Sequence, residues 1–172
     1  MATHEKSIEA TPAPVTGALS GIRVIELADE KAEYCGLSLA GLGADVVKIE
    51  PPGGSPTRSI GPFYKDEPDP ERSLFFWQYN RGKRSIELDL TVDADRQRLL
   101  ELLASADVLL ESTPRGELDA LGLGSETLAK RFPTLITARV TPFGDEGPWR
   151  DFKASDLIHL ALGGVMMNCG YD

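Results

Sequence analysis

The densest positive patch in the chain is Asn80-Arg81-Gly82-Lys83-Arg84, directly ahead of a β-branched run. It reads either as an attractor for an anionic ligand or as solvated charge before a strand. Pro51-Pro52-Gly53-Gly54-Ser55-Pro56-Thr57-Arg58 contains glycine but lacks the GxxxxGK[ST] spacing that cradles phosphate, so a rigid turn is expected there. The segment Ala28-Asp29-Glu30-Lys31-Ala32-Glu33 has no GxGxxG, and its acidic character is unsuited to a pyrophosphate at a helix N-terminus, which argues against NAD binding. Two histidines, His4 and His159, cannot build a metal site alone or pair closely in sequence with a nucleophile, and His159 is expected packed or partly exposed. Two cysteines, Cys35 and Cys169, form neither a disulfide framework nor a CxxC zinc motif and read as buried free thiols. Carboxylates are plentiful but unpaired by any local motif; Asp156 can cap a helix as readily as act as a base.

The elements that must position these groups alternate in type. Ile22–Leu27, Asp45–Glu50, Ser85–Leu90, Asp107–Glu111 and Leu135–Val140 read as strands. Glu33–Leu42, Asp93–Ala104 and Ser125–Phe132 read as helices between them. Strands separated by helices require crossovers, which predicts an α/β, Rossmann-like fold: a mostly parallel sheet with helices on both faces. Ligands of such sheets bind beyond the carboxyl ends of the strands, so the loops after Leu27, Glu50, Leu90, Glu111 and Val140 are where chemistry is expected. The Pro/Gly-rich excursion from Pro51 to Arg72 is too long for a simple connector and reads as a functional or subunit-contacting loop. A last helix is expected within Ala154–Met167, with Gly163-Gly164 able to end it.

The 172 residues fit one domain, preceded by a loose tail over residues 1–18. Eighteen basic against 27 acidic side chains give a net charge of −9, which argues against a nucleic-acid partner. No apolar run reaches the ~20 residues of a membrane-spanning helix. Met1–Val15 shows neither a secretory nor a transit signal, so a cytoplasmic protein is expected.

Five ordered blocks carry a resemblance: Gly21-Ile-Arg-Val-Ile-Glu-Leu, Leu42-Gly-Ala-Asp-Val-Val-Lys-Ile-Glu-Pro-Pro-Gly-Gly, Asn80-Arg-Gly-Lys-Arg-Ser-Ile-Glu-Leu-Asp-Leu, Ala106-Asp-Val-Leu-Leu-Glu and Phe143-Gly-Asp-Glu-Gly-Pro. Together they resemble the class III CoA-transferases, the family that includes formyl-CoA transferase, carnitine CoA-transferase and α-methylacyl-CoA racemase. The resemblance implies that residues 19–172 form the N-terminal part of a large Rossmann-like domain, with the small domain absent from this chain. It further implies coenzyme A or an acyl-CoA as substrate, a carboxylic acid as acceptor, no metal, and either a homodimer or a complementary second subunit.

The transferases use an aspartate to form a mixed anhydride and then an aspartyl-CoA, and by this likeness the aspartate lies beyond Asp172. No catalytic residue is therefore expected within the chain. The CoA-site positions that carry over fall on Leu88, Leu90, Ser112, Thr113, Arg115 and Lys153. A charge-assisted contact from Lys153 to phosphate or carboxylate would contribute ~1.5–3 kcal/mol. Ser112-Thr113-Pro114-Arg115-Gly116 departs from the common Asn-Phe-Arg-Pro-Gly order, and Ala120 stands where some members have a CoA-contacting arginine. Lys31-Ala32-Glu33 replaces the frequent Ala-Gly-Pro. Ala154-Ser155-Asp156 replaces the Gly-His-Asp of the racemases and so lacks their histidine, which favours transferase ancestry over a racemase relative. A split transferase, or a noncatalytic CoA-binding or interaction remnant, are the other readings.

Overall fold

In a computed structural model, which describes residues 17–168, neighbouring strand residues go to opposite faces of one sheet, as the two-residue period of a strand requires. Along β1 (Arg23–Leu27), Val24 packs on one face and Ile25 on the other; β2 (Asp45–Glu50) divides Val46 from Val47 in the same way. β4 (Val108–Glu111) divides Leu110 from Leu109. Both faces are thus apolar, which is why these strands read as near-continuous hydrophobic runs. With β3 (Arg84–Glu87) and β5 (Ile136–Arg139) they form a five-stranded, wholly parallel sheet in the order β3-β2-β1-β4-β5.

One face is covered through Leu99, Leu100 and Leu103 of α3 (Asp93–Leu103), Leu118 of α4 (Glu117–Ala120) and Leu128 of α5 (Ser125–Arg131), all packed with Ile25, Val47 and Leu109. The other face holds Val24, Val46 and Leu110 with Ala32 at the start of α1 (Glu33–Gly41). The expected α/β architecture with helices on both faces is the observed one.

Four readings of the elements differ from the structure. A helix, α2 (Leu74–Asn80), stands where none was expected; the Ser73 hydroxyl accepts from Phe76 N at 3.0 Å and caps it. The four-residue α4 was also unexpected. The third strand ends at Glu87 rather than Leu90, although Leu88 N still donates to Glu50 O at 2.9 Å. The helix expected over Ala154–Met167 is confined to α6 (Asp156–Leu162): Gly164 takes φ +78, and a 3-10 turn, Val165–Asn168, follows. Asp156 begins α6 without a side-chain capping bond.

The Pro51–Arg72 excursion is folded into short 3-10 turns at Pro56–Ser59, Tyr64–Asp66 and Pro70–Arg72. Its first part is anchored on β2 and α1. Cys35 is exposed, correcting the expectation of a buried thiol: α1 buries Glu33, Gly36 and Leu37, and its one-turn period turns Cys35 away from that face. His159 is exposed, its ring 5.5 Å from Phe143 and its Nε2 3.2 Å from Pro142 O. Cys169, His4 and most of the expected tail lie outside the described residues.

Candidate functional site

The order β3-β2-β1-β4-β5 reverses direction between β1 and β4, and at such a reversal the loops leaving adjacent strands diverge to opposite faces and open a crevice. The two loops meet there directly. Ser112 Oγ donates to Asp29 Oδ1 at 2.7 Å, and Asp29 N lies 3.0 Å from Ser112 Oγ. Ser112 is itself aligned by its N–H on Leu27 O at 3.1 Å. Burial by itself would raise the Asp29 carboxyl, but bonds from Lys31 and Ser112 outweigh it and hold the group below the usual carboxylate range.

Beside this contact lies a largely apolar cleft of about 330 Å³, running across the carboxyl ends of β1 to β4. Leu88, Leu90, Ser112 and Thr113, four of the expected site residues, line it. Pro51, Pro52, Ser55 and Pro56 form another wall, so the start of the long excursion contributes to the site. Buried Glu111 fixes the Thr113 end: one of its oxygens accepts from both Thr113 N at 2.8 Å and Thr113 Oγ1 at 2.6 Å. The other stands 3.0 Å from Arg139 Nε.

Arg115 and Lys153 are not brought into this lining. Arg115, one residue beyond the cleft wall at Pro114, pairs through its guanidinium with Asp151 at 2.7 Å. Lys153 follows two residues later on an exposed stretch. The basic run divides: Arg81 and Arg84 are exposed, as solvated charge ahead of a strand would be, whereas Lys83 is not. Lys83 Nζ is buried, 2.9 Å from Glu26, 2.9 Å from Glu33 O and 3.0 Å from Asn80 Oδ1; Arg84 pairs with Asp45. Burial lowers the Lys83 ammonium from its ordinary range despite Glu26. Of the three cations, Arg81 alone makes no ion pair among the described residues, its guanidinium donating to Gln78 O.

Beneath the β1–α1 loop, Lys48 and Lys83 face Glu26 and Glu33, with all four side chains almost wholly buried. Lys48 Nζ reaches Glu33 at 2.8 Å, Glu26 at 3.2 Å and Ala28 O at 2.5 Å, so the network holds the loop that carries Asp29. Thr57 Oγ1 donates to Glu33 at 2.8 Å and ties in the excursion. Gly36 is required by this packing, since a Cβ there would lie 1.6 Å from Glu26 Oε2. A second polar group joins Glu50 to Arg58 through a fork of 2.6 and 2.8 Å. Burial would raise Glu50, but Arg58, Ser85 and the Ser55 N–H bring it down to about 2.

The residues missed by sequence reading are those whose partners are distant in the chain: Asp29 with Ser112, Glu111 with Arg139, and the four-charge network. Among the described residues no group of three or more His, Cys, Asp or Glu could hold a metal ion. No helix among them is long and apolar enough to cross a membrane.

An open parallel sheet with a cleft at the reversal of strand order places the molecule among the doubly wound α/β domains that bind ligands beyond their carboxyl edge. Residues 19–172 match the profile of CoA-transferase family III, and the chain belongs to that family. It is 40% identical over 153 residues to the succinyl-CoA:(R)-benzylsuccinate CoA-transferase subunit BbsE of Thauera aromatica, covering 89% of this chain and 37% of that protein. It is 42% identical over 165 residues to the acetyl-CoA:oxalate CoA-transferase of Acetobacter aceti, covering 95% of this chain and 41% of that one. The crystal structure of a CAIB/BAIF family protein from Brucella suis superposes with a TM-score of 0.80 at 37% identity, over 87% of this chain and 40% of that chain. The chain thus spans about two-fifths of the length of the relatives it matches.

Proposed function

We propose that this chain is the N-terminal part or a subunit of a CoA-transferase that moves CoA from an acyl-CoA donor to a carboxylic acid, and that the cleft at the β1/β4 reversal receives the adenosine end of CoA. The observation that carries this reading is the convergence of Leu88, Leu90, Ser112 and Thr113 on that one cleft within a chain of this family. Its apolar walls suit a base and sugar, while the Ser112 and Thr113 hydroxyls supply polar points of orientation. Lys153, two residues beyond the Arg115–Asp151 pair at the same rim, is the cation available for the diphosphate.

The covalent step belongs to an aspartate outside residues 1–172, and the small domain likewise. No residue of the cleft is placed as a nucleophile. Exposed Trp149, Phe152, Leu157, Leu162 and Met167 support association with a second copy or a complementary polypeptide, which would cover them. A cytoplasmic setting fits a CoA-dependent reaction.

Calorimetric titration with CoA tests the placement. Binding should be abolished by Leu90→Trp, which fills the cleft, and weakened about tenfold by Lys153→Ala. CoA binding unaffected by Leu90→Trp would refute the cleft as the site. Exchange of CoA between an acyl-CoA and a free acid by the chain alone would refute the external nucleophile.

A further inference from the structure

The charged side chains that line the cleft are of one sign. Asp29, Asp89 and Glu117 are in its lining, and no lysine or arginine lines it among the described residues. Bonds from the Thr91 hydroxyl and N–H hold Asp89 below the usual carboxylate range, so it is ionised at neutral pH, as is Asp29.

The cations nearest the cleft are already matched. Lys31 pairs with Asp29 itself. Arg96 donates to Leu90 O at 2.8 Å and pairs with Asp93. Arg115 is held by Asp151, and Arg139 by Glu111. A dianionic phosphate entering such a cleft meets carboxylates and gains no ion pair, whereas a neutral base and ribose meet apolar surface and hydroxyls.

The geometry points to a cleft that takes the adenosine end of its ligand without recognising a 3′-phosphate, so that CoA and 3′-dephospho-CoA are bound alike. This rests on the placement of adenosine proposed above and adds a ligand preference to it. The diphosphate is left to the rim outside the lining, where Lys153 lies.

Titration calorimetry with CoA, dephospho-CoA and adenosine, each at low and high ionic strength, tests it. The two nucleotides should bind within about threefold of one another. The ratio of their affinities should not fall with salt, because no attraction to the 3′-phosphate is there to be screened. Glu117→Lys reverses one wall charge, and the Glu117 side chain makes no hydrogen bond or ion pair among the described residues; Thr91→Lys adds a cation on the neighbouring wall. At least one of the two should create a preference for CoA of about tenfold that weakens with salt. A preference for CoA of about tenfold or more in the unaltered protein overturns the inference while leaving the adenosine site standing. Failure of both folded lysine variants to create a preference places the 3′ carbon away from this wall and overturns it as well. If neither nucleotides nor adenosine bind, the site placement falls and the inference with it.

Discussion

Replacing Lys48 by methionine removes the ammonium group that touches the carboxylates of both Glu26 and Glu33, and leaves the two buried carboxylates facing Lys83 alone. At an effective dielectric of about 20, contacts of 2.8 and 3.2 Å each represent roughly 5–6 kcal/mol of gross attraction. Most of that is offset by the cost of desolvating the ammonium group, and the net loss on breaking a buried pair is about 3–5 kcal/mol. Ala28 O loses its donor as well, so the loop bearing Asp29 is loosened. Against a total stability of about 5–15 kcal/mol this is a large fraction. In urea, with a slope of about 2 kcal/mol/M, the midpoint should drop by roughly 1.5–2.5 M.

The charge count supplies an internal control. Adding Glu33→Gln to Lys48→Met leaves Glu26 opposite Lys83 as a balanced pair, and the amide can still accept from Thr57. The double variant should therefore recover at least about 2 kcal/mol relative to Lys48→Met. The test is equilibrium unfolding of all three proteins with coincident fluorescence and circular dichroism. A loss below about 1 kcal/mol for Lys48→Met, or a double variant no more stable than the single one, would refute the claim that this network is held by charge compensation.

Gly36→Ala should destabilise by about 1–3 kcal/mol despite alanine's better helix propensity, because the new Cβ would overlap Glu26 Oε2 and approach Lys83 Nζ; thermal melts of the two proteins measure it. Glu50 sets a pH dependence. Its folded pKa of about 2 lies below the ordinary 4.5, so its contribution is fully present above pH 4.5 and is lost as pH falls toward 2. That contribution is at most about 3 kcal/mol. Stability measured across this window should fall less steeply in Arg58→Met, which removes the principal bond that lowers the pKa; an unchanged slope would refute the assignment.

Much of the fold was legible because strands buried on both faces must be continuously apolar, and Val24-Ile25, Val46-Val47 and Leu109-Leu110 are. α2 escaped because Leu74-Phe75-Phe76-Trp77 is apolar at every position and shows no helical stripe; its cap, Ser73, accepts from Phe76 N while its hydroxyl donates to Ile60 O, a bond that has no local signature. The cleft was legible in part. Leu88, Leu90, Ser112 and Thr113 follow strands whose carboxyl ends must converge, so topology and family resemblance selected the same loops. The charged groups that support the cleft were hidden by distance. Lys48 and Glu26 are 22 positions apart, and Lys83 and Glu26 57 apart, so neither spacing belongs to a helix turn or a strand. Lys83 was obscured further by Arg81 and Arg84: three cations within four residues resemble a surface patch, and burial alone separates one of them from its neighbours.

The four-charge network also constrains how the sequence can change with time. Because Lys48 answers to Glu33 as well as Glu26, loss of either Glu33 or Lys48 by itself leaves a buried imbalance, whereas their joint replacement does not. A lineage leaving this arrangement must cross a destabilised intermediate or first acquire stabilising changes elsewhere. Descendants that keep Lys48 thus inherit a reason to keep Glu33 that has nothing to do with the ligand. Invariance at position 33 within a close lineage would then record contingency in the support of the loop, and substitution at 33 should be accompanied by substitution at 48.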